Sequence, residues 1–259
     1  MHVPNLRTGH KWLFLSILSL MVFTRSVAQA PDSINFSSSF ALTNNGISLL
    51  PSFSLGKPAG ILDIRIGNQF SFEPQLRFSL EGKPWAFVFW WRYQLFEKNN
   101  RFNLRVGAHP AILFRTIPNA DPSNNEDMIE AHRYIAGELA PSYRVAKHVR
   151  IGMYYLKGHG FQNSGTRNSD FITINAYFSR LTISNDYYMT LYPQVYFLKM
   201  DKNTGYYATV TIALKRDDFP ITIESIVNQS IKTEISGDQF LWNLSLIYSL
   251  GGSYAKIKD

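Results

Sequence analysis

The chain has 259 residues, enough for one large all-β domain, and it has no cysteine, which excludes disulfide frameworks, thiolate metal sites and a lipid anchor on an N-terminal Cys. Aromatic residues make up 15% and charged ones only 17%, below the roughly 25% of soluble domains, and a mean hydropathy of −0.13 excludes a polytopic helical membrane protein. Three of the 26 basic residues (Arg7, Lys11, Arg25) lie in the first 28 positions, leaving 23 against 19 acids, scattered without a nucleic-acid footprint.

Arg7 and Lys11 precede an apolar run from Trp12 to Phe23, and small residues follow up to Ala28. A basic start, a short apolar stretch and a small-residue cut site predict a secretory signal peptide over 1–28. The run is too short for a membrane-spanning helix, which needs about 20 apolar residues. Residues 29–45, polar and low in charge, read as a periplasmic lead, an extra pairing segment or a short plug.

From there the chain alternates with period two. Trp85, Phe87, Phe89, Trp91, Tyr93 and Leu95 share one parity, with Arg92 and Gln94 on the other. Phe70, Phe72, Leu76, Phe78 and Leu80 oppose Ser71, Glu73, Gln75 and Arg77, while Ile172 and Ile174 oppose Thr173 and Asn175. Phe240, Trp242, Leu244, Leu246, Tyr248 and Leu250 repeat the pattern. Successive side chains of a strand point to opposite faces, so each run has one apolar and one polar wall. An arginine on the lipid face at mid-bilayer costs about 2–4 kcal/mol, so the apolar set is expected outward and Arg77, Arg92 and Arg105 inward.

The predicted strands are 46–54, 60–68, 70–80, 85–96, 101–115, 131–144, 148–158, 170–180, 186–198, 204–215, 220–231 and 239–250. Together they make an all-β, transmembrane antiparallel up-and-down β-barrel over 46–250, of about twelve strands, or ten without the first pair. The longest connections, 116–130 and 159–169, follow odd-numbered strands, and short ones follow even-numbered strands. This asymmetry suits a barrel with long outer loops and periplasmic termini, followed by a periplasmic tail over 251–259. A secreted soluble β-sandwich binding protein is the alternative fold. Pro51, Pro74, Pro110, Pro141 and Pro193 fall in predicted strands on the outward parity, where bulges would accommodate them.

With this patterning the chain resembles the bacterial outer-membrane β-barrel proteins as a class. The resemblance covers residues 46–250 and the signal peptide, and it implies outer-membrane lipid and the barrel-assembly machinery as partners. Leu246, Tyr248 and Leu250 look like the terminal-strand signal that this machinery reads, although nine residues follow it.

Inward parity collects Asp63, Arg65, Glu73, Arg77, Arg92, Arg105, Glu138, Arg144, Arg150 and Glu224. Such a lumen either conducts small polar solutes or is filled by its own ion pairs; twelve strands lie between filled eight-stranded and open sixteen-stranded barrels. The remaining candidate chemistry is His159 with Ser164. Outer-membrane phospholipases carry a His and a Ser two apart; here they are five apart, so no residue transfers and a polar loop is the other reading. Asp121, Glu126, Asp127 and Glu130 form an acidic stretch, with a helical turn expected after Pro122. No cofactor motif occurs. The expected function is a narrow outer-membrane channel for small polar solutes or a membrane-embedded component of an envelope complex, and not an enzyme. The enzymatic alternative is a lipid hydrolase, of phospholipase or lipid A deacylase type.

Overall fold

The alternating runs form β1 (Ser33–Thr43), β2 (Ala59–Gly67), β3 (Phe70–Ser79), β4 (Pro84–Leu95), β5 (Phe102–Ile117), β6 (Met128–Ala146) and β7 (Val149–Gly160). The series continues with β8 (Asn168–Thr182), β9 (Tyr187–Met200), β10 (Asn203–Arg216), β11 (Ile221–Thr233), β12 (Phe240–Trp242) and β13 (Ser245–Ala255). This computed structural model describes residues 33–48, 50–96, 101–117 and 128–255. The barrel is the unit Asn35–Tyr254; of the other unit, Met1–Ile34 and Ala255–Asp259, the described Ser33, Ile34 and Ala255 are extended. The expected signal peptide and the stretch 121–127 lie outside the described residues.

Neighbours in the sheet follow chain order, β10 pairs with β11, and β1 meets β13, so the sheet closes. β12 and β13 are two pieces of one strand: Val227 faces Trp242, and Glu224 faces Ser245. Between the pieces, Asn243 Oδ1 accepts the Ile226 N–H at 2.7 Å. The barrel therefore has twelve strands. Its seam is held where Asn44 N–H donates to Leu244 O at 3.2 Å and Leu244 N–H to Asn44 Oδ1 at 2.7 Å. Closure is what hydrocarbon demands, because an unpaired backbone group there has no water to bond.

The expected outward set, Trp85 excepted, is outward. Phe70, Trp91, Tyr93, Ile174, Trp242, Leu246 and Leu250 are all exposed. Ile174, 67% exposed in the middle of β8, is the sharpest test of the lipid face. Ile174→Arg is expected to destabilise the inserted barrel by about 2–4 kcal/mol, read by reversible unfolding in lipid vesicles. An unchanged midpoint would place this face out of the hydrocarbon.

Three expectations need correction. The first strand is Ser33–Thr43, not 46–54, so of the three readings of this segment the pairing one holds, and residues 33–43 belong to the wall rather than to a lead or plug. The last strand runs to Ala255, into the expected tail. The prolines do not make bulges. Pro74, Pro110, Pro141 and Pro193 face Phe89, Ile135, Leu104 and Val210 in unbroken register. The register shifts fall instead at Arg77/Phe78, Arg144/Ala146, Phe178/Leu181 and Tyr206/Tyr207. Each proline forgoes its missing donor on one side only. Pro51 is in no strand; it opens a 3-10 turn, Pro51–Phe53, where a missing N–H costs nothing.

That turn belongs to the connection 44–58, which folds into the barrel. Gly46 O accepts the Leu55 N–H at 2.8 Å, and Gly46 N–H donates to Lys57 O at 2.8 Å, drawing the segment into a closed loop. A Cβ on Gly46 would lie 3.0 Å from both Leu55 Cβ and the Trp85 ring, so the approach requires glycine. The described connections after odd-numbered strands (80–83, 161–167, 201–202, 234–239 and the described part of 44–58) share one end of the barrel. The opposite end carries 68–69, 147–148, 183–186 and 217–220.

Candidate lumen site

Strand register builds a charged belt across the inner wall. Arg92, Gly107 and Glu138 face one another on consecutive strands β4, β5 and β6. With no side chain at Gly107, Arg92 reaches over β5: a Cβ there would lie 3.0 Å from Arg92 Cγ and 3.1 Å from Glu138 Cγ. Arg92 Nε donates to Glu138 Oε1 at 2.8 Å and Nη2 to Oε2 at 3.1 Å, a two-pronged contact. Arg92 Nη1 also pairs with Glu73, which accepts from Ser71 Oγ at 2.7 Å and lies 2.8 Å from Arg65 Nη1. Arg105 Nε is 3.0 Å from Glu138 Oε1, and Tyr154 OH donates to Glu138 Oε2 at 2.9 Å. Glu138, with a fully buried side chain, is the hub.

On the long-loop side of the belt the lumen is apolar. Leu50 from the inward segment packs with Trp90, Ala136, Leu156, Phe171, Tyr196, Leu198, Met200 and Tyr207 of the walls. The Phe53 ring lies 5.5 Å from that of Tyr134, and Ser52 Oγ reaches Met200 Sδ at 3.1 Å. Trp85 Nε1 donates to Phe53 O at 2.9 Å, tying the segment to β4. Trp85 was expected outward. The register shift at Arg77/Phe78, which Trp85 faces, instead leaves it buried beside Ala86. The buried rings of the far wall spend their hydroxyls locally: Tyr196 OH donates to Asn228 Oδ1 at 2.7 Å, and Tyr207 OH lies 2.6 Å from Thr233 Oγ1. A cavity of about 270 Å³ remains beneath the segment, between Leu50, Phe53, Val88, Trp90, Leu156 and the polar groups of Arg77 and His109.

On the short-turn side the lumen widens into a polar vestibule of about 420 Å³. Arg105, Arg150 and Lys215 line it with Glu224, together with Asn103, Asn175, Thr190, Tyr177 and Tyr192. At its rim Arg180 grips Asp217 at 2.9 and 2.5 Å, and this hydrogen bonding holds the Asp217 carboxyl below the usual carboxylate range.

Of the residues expected in the lumen, Arg65, Glu73, Arg92, Arg105 and Glu138 meet in the belt. Asp63 lines an adjoining recess with Arg65 and Glu73, and its Oδ1 is buried without a hydrogen-bond partner. Arg77 faces the apolar half, where its guanidinium lies over the Trp85 ring at 5.3 Å. Arg150 and Glu224 line the vestibule, and Arg144 sits at the short-turn rim with Lys147, His148 and Arg150. His159 and Ser164 are not brought together. His159 Nδ1 lies 3.1 Å from Asn168 Oδ1, while Ser164 Oγ donates to Glu130 Oε1 at 2.8 Å. The other Glu130 oxygen is 2.8 Å from His132 Nε2. A carboxylate thus stands between serine and imidazole, an order in which the imidazole cannot take the serine proton.

The inward segment and the apolar half were missed in the sequence. The available signal was loss of alternation: Tyr154-Tyr155-Leu156 and Tyr196-Phe197-Leu198 are apolar on both parities, as strands covered on both faces are.

Among solved structures, the chain is similar to KdgM porin, with a TM-score of 0.54 and 13% identity over 83% of this chain and 99% of that one. The fold is that of the bacterial outer-membrane β-barrels. The KdgM porin in complex with disordered oligogalacturonate aligns with a TM-score of 0.50 and 12% identity, over 84% and 99% of the two chains. NanC porin aligns with a TM-score of 0.44 and 11% identity, over 86% and 100%. No protein-family model matches the chain, and no curated protein matches it.

Proposed function

We propose that the protein is a narrow outer-membrane channel for small anionic solutes, with its termini and short turns in the periplasm. The vestibule carries the reading: Arg105, Arg150 and Lys215 outnumber the single carboxylate of Glu224 on its wall. A low-dielectric lumen lined by one sign of charge concentrates the opposite ion. That the similar KdgM porin was solved with oligogalacturonate, a chain of sugar acids, supports the same charge preference. The orientation rests on the longer connections lying at one end.

The test is the reversal potential of the refolded protein in a planar bilayer under a potassium chloride gradient. Wild type is expected to favour chloride, and the double variant Arg150→Glu with Lys215→Glu to shift severalfold toward potassium. Both residues lie outside the belt, so the exchange leaves its ion pairs whole. A cation-selective wild type, or unchanged selectivity in a folded double variant, overturns the reading.

A further inference from the structure

We propose that the cavity beneath the 44–58 segment is a binding site for an organic anion with an apolar body, a small aryl- or alkyl-carboxylate. Val88, Trp90 and Leu156 from the barrel wall and Phe53 from the segment make its sides, a surface suited to a ring or a short hydrocarbon. Two polar groups with spare capacity line the same space. Arg77 gives one hydrogen bond, from Nη2 to Gln75 Oε1 at 3.2 Å, while its Nε is buried without a partner. Among the described residues no carboxylate forms an ion pair with Arg77. His109 is only 8% exposed, its Nδ1 also has no partner, and its ring lies 4.0 Å from that of Trp90.

A buried donor left without a partner is costly, and an acceptor of negative charge would satisfy Arg77 Nε, with His109 Nδ1 a second donor when that nitrogen carries the proton. Arg92, at the edge of the same cavity, has no such capacity because Glu73 and Glu138 occupy its donors. The cavity therefore offers a cation with spare donor capacity inside an apolar shell, with the Asp63 carboxylate acting on it only from beyond ion-pair distance. That selects a monoanion over a neutral ligand and over a polyanion. This site goes beyond the channel reading and does not rest on it.

The probe is 3-phenylpropionate, titrated into the detergent-solubilised full barrel while tryptophan fluorescence is followed. Trp85 and Trp90 line the cavity, whereas Trp91 and Trp242 face outward. Saturable quenching is expected with wild type. Phenylpropanol, which lacks the carboxylate, and propionate, which lacks the ring, are expected to bind about tenfold more weakly or worse. Arg77→Gln is expected to weaken phenylpropionate by a similar factor and to leave phenylpropanol unchanged. Ala136→Leu retains the charge but fills part of the cavity, and is expected to weaken both ring-bearing probes. No saturable quenching in wild type, or wild-type affinity in both folded variants, overturns the proposal. Because binding is read at equilibrium in detergent, a barrel that binds the probe but stays silent in a bilayer counts against the channel alone.

Discussion

Replacing the 44–58 segment by a two-residue turn is expected to raise single-channel conductance severalfold. Thr43 and Ala59 face each other at the last rung between β1 and β2, so an Asn-Gly turn can join the strands there without altering their pairing. What leaves the lumen is its apolar filling: Leu50, Phe53 and Leu55, with the contacts to Tyr134, Met200 and Trp85. Twelve strands enclose more space than side chains alone fill in an eight-stranded barrel, and here the chain supplies the difference from its own first connection. Loss of packing against Leu50 and Phe53 destabilises the apolar half, by an amount on the order of 2–5 kcal/mol for each large side chain removed. The interstrand ladder remains. A folded variant with wild-type conductance would mean that the segment does not limit the pore. The double variant Leu50→Ser with Phe53→Ser gives a milder form of the same test, with an intermediate conductance expected.

The wall was legible in the sequence because hydrocarbon imposes a strict rule on it. Eleven of the twelve strands fall within a few residues of where alternation places them, from Ala59–Gly67 onward. The exception has a physical cause. In Ser33–Thr43 the outward positions include Phe36, Phe40 and Leu42, but Ser37-Ser38-Ser39 between them blurs the contrast. In 46–54 the apolar residues Leu50 and Phe53 count toward a strand, yet they pack inside the barrel. Alternation reports that a residue avoids water; it does not report whether lipid or the barrel interior receives it.

The same ambiguity governs the site. Inward placement of Arg65, Glu73, Arg92, Arg105 and Glu138 follows from parity, because none of them is tolerable against lipid. Their assembly into one belt depends on which residues stand opposite across three strands and on the bare backbone at Gly107. Neither is visible along a single strand. The contact of His109 with Trp90, and its neighbour Arg77 across the cavity, required the closed sheet.

Glu138→Gln is expected to lower barrel stability by about 3 kcal/mol, with a clear fall in the temperature at which the heat-modifiable gel shift is lost. The substitution keeps the shape of the side chain and removes its charge. Arg92 then retains only Glu73, and Arg105 loses its only ion-pair partner among the described residues. Breaking a buried pair from one side costs about 3–5 kcal/mol because the remaining charge stays desolvated, and the partial exposure of Arg105 places the value at the lower end. Arg105→Gln is expected to cost less, since that side chain is 35% exposed and its loss leaves Glu138 still paired with Arg92 and Tyr154. A second change, Arg92→Met, made on top of Glu138→Gln, is expected to restore part of the loss by removing the stranded cation, and a double-mutant cycle isolates the pair. Wild-type stability in Glu138→Gln would show that the belt is solvated in the membrane. The arginines would then be free to conduct, and Arg92→Glu would shift selectivity as strongly as the vestibule variants.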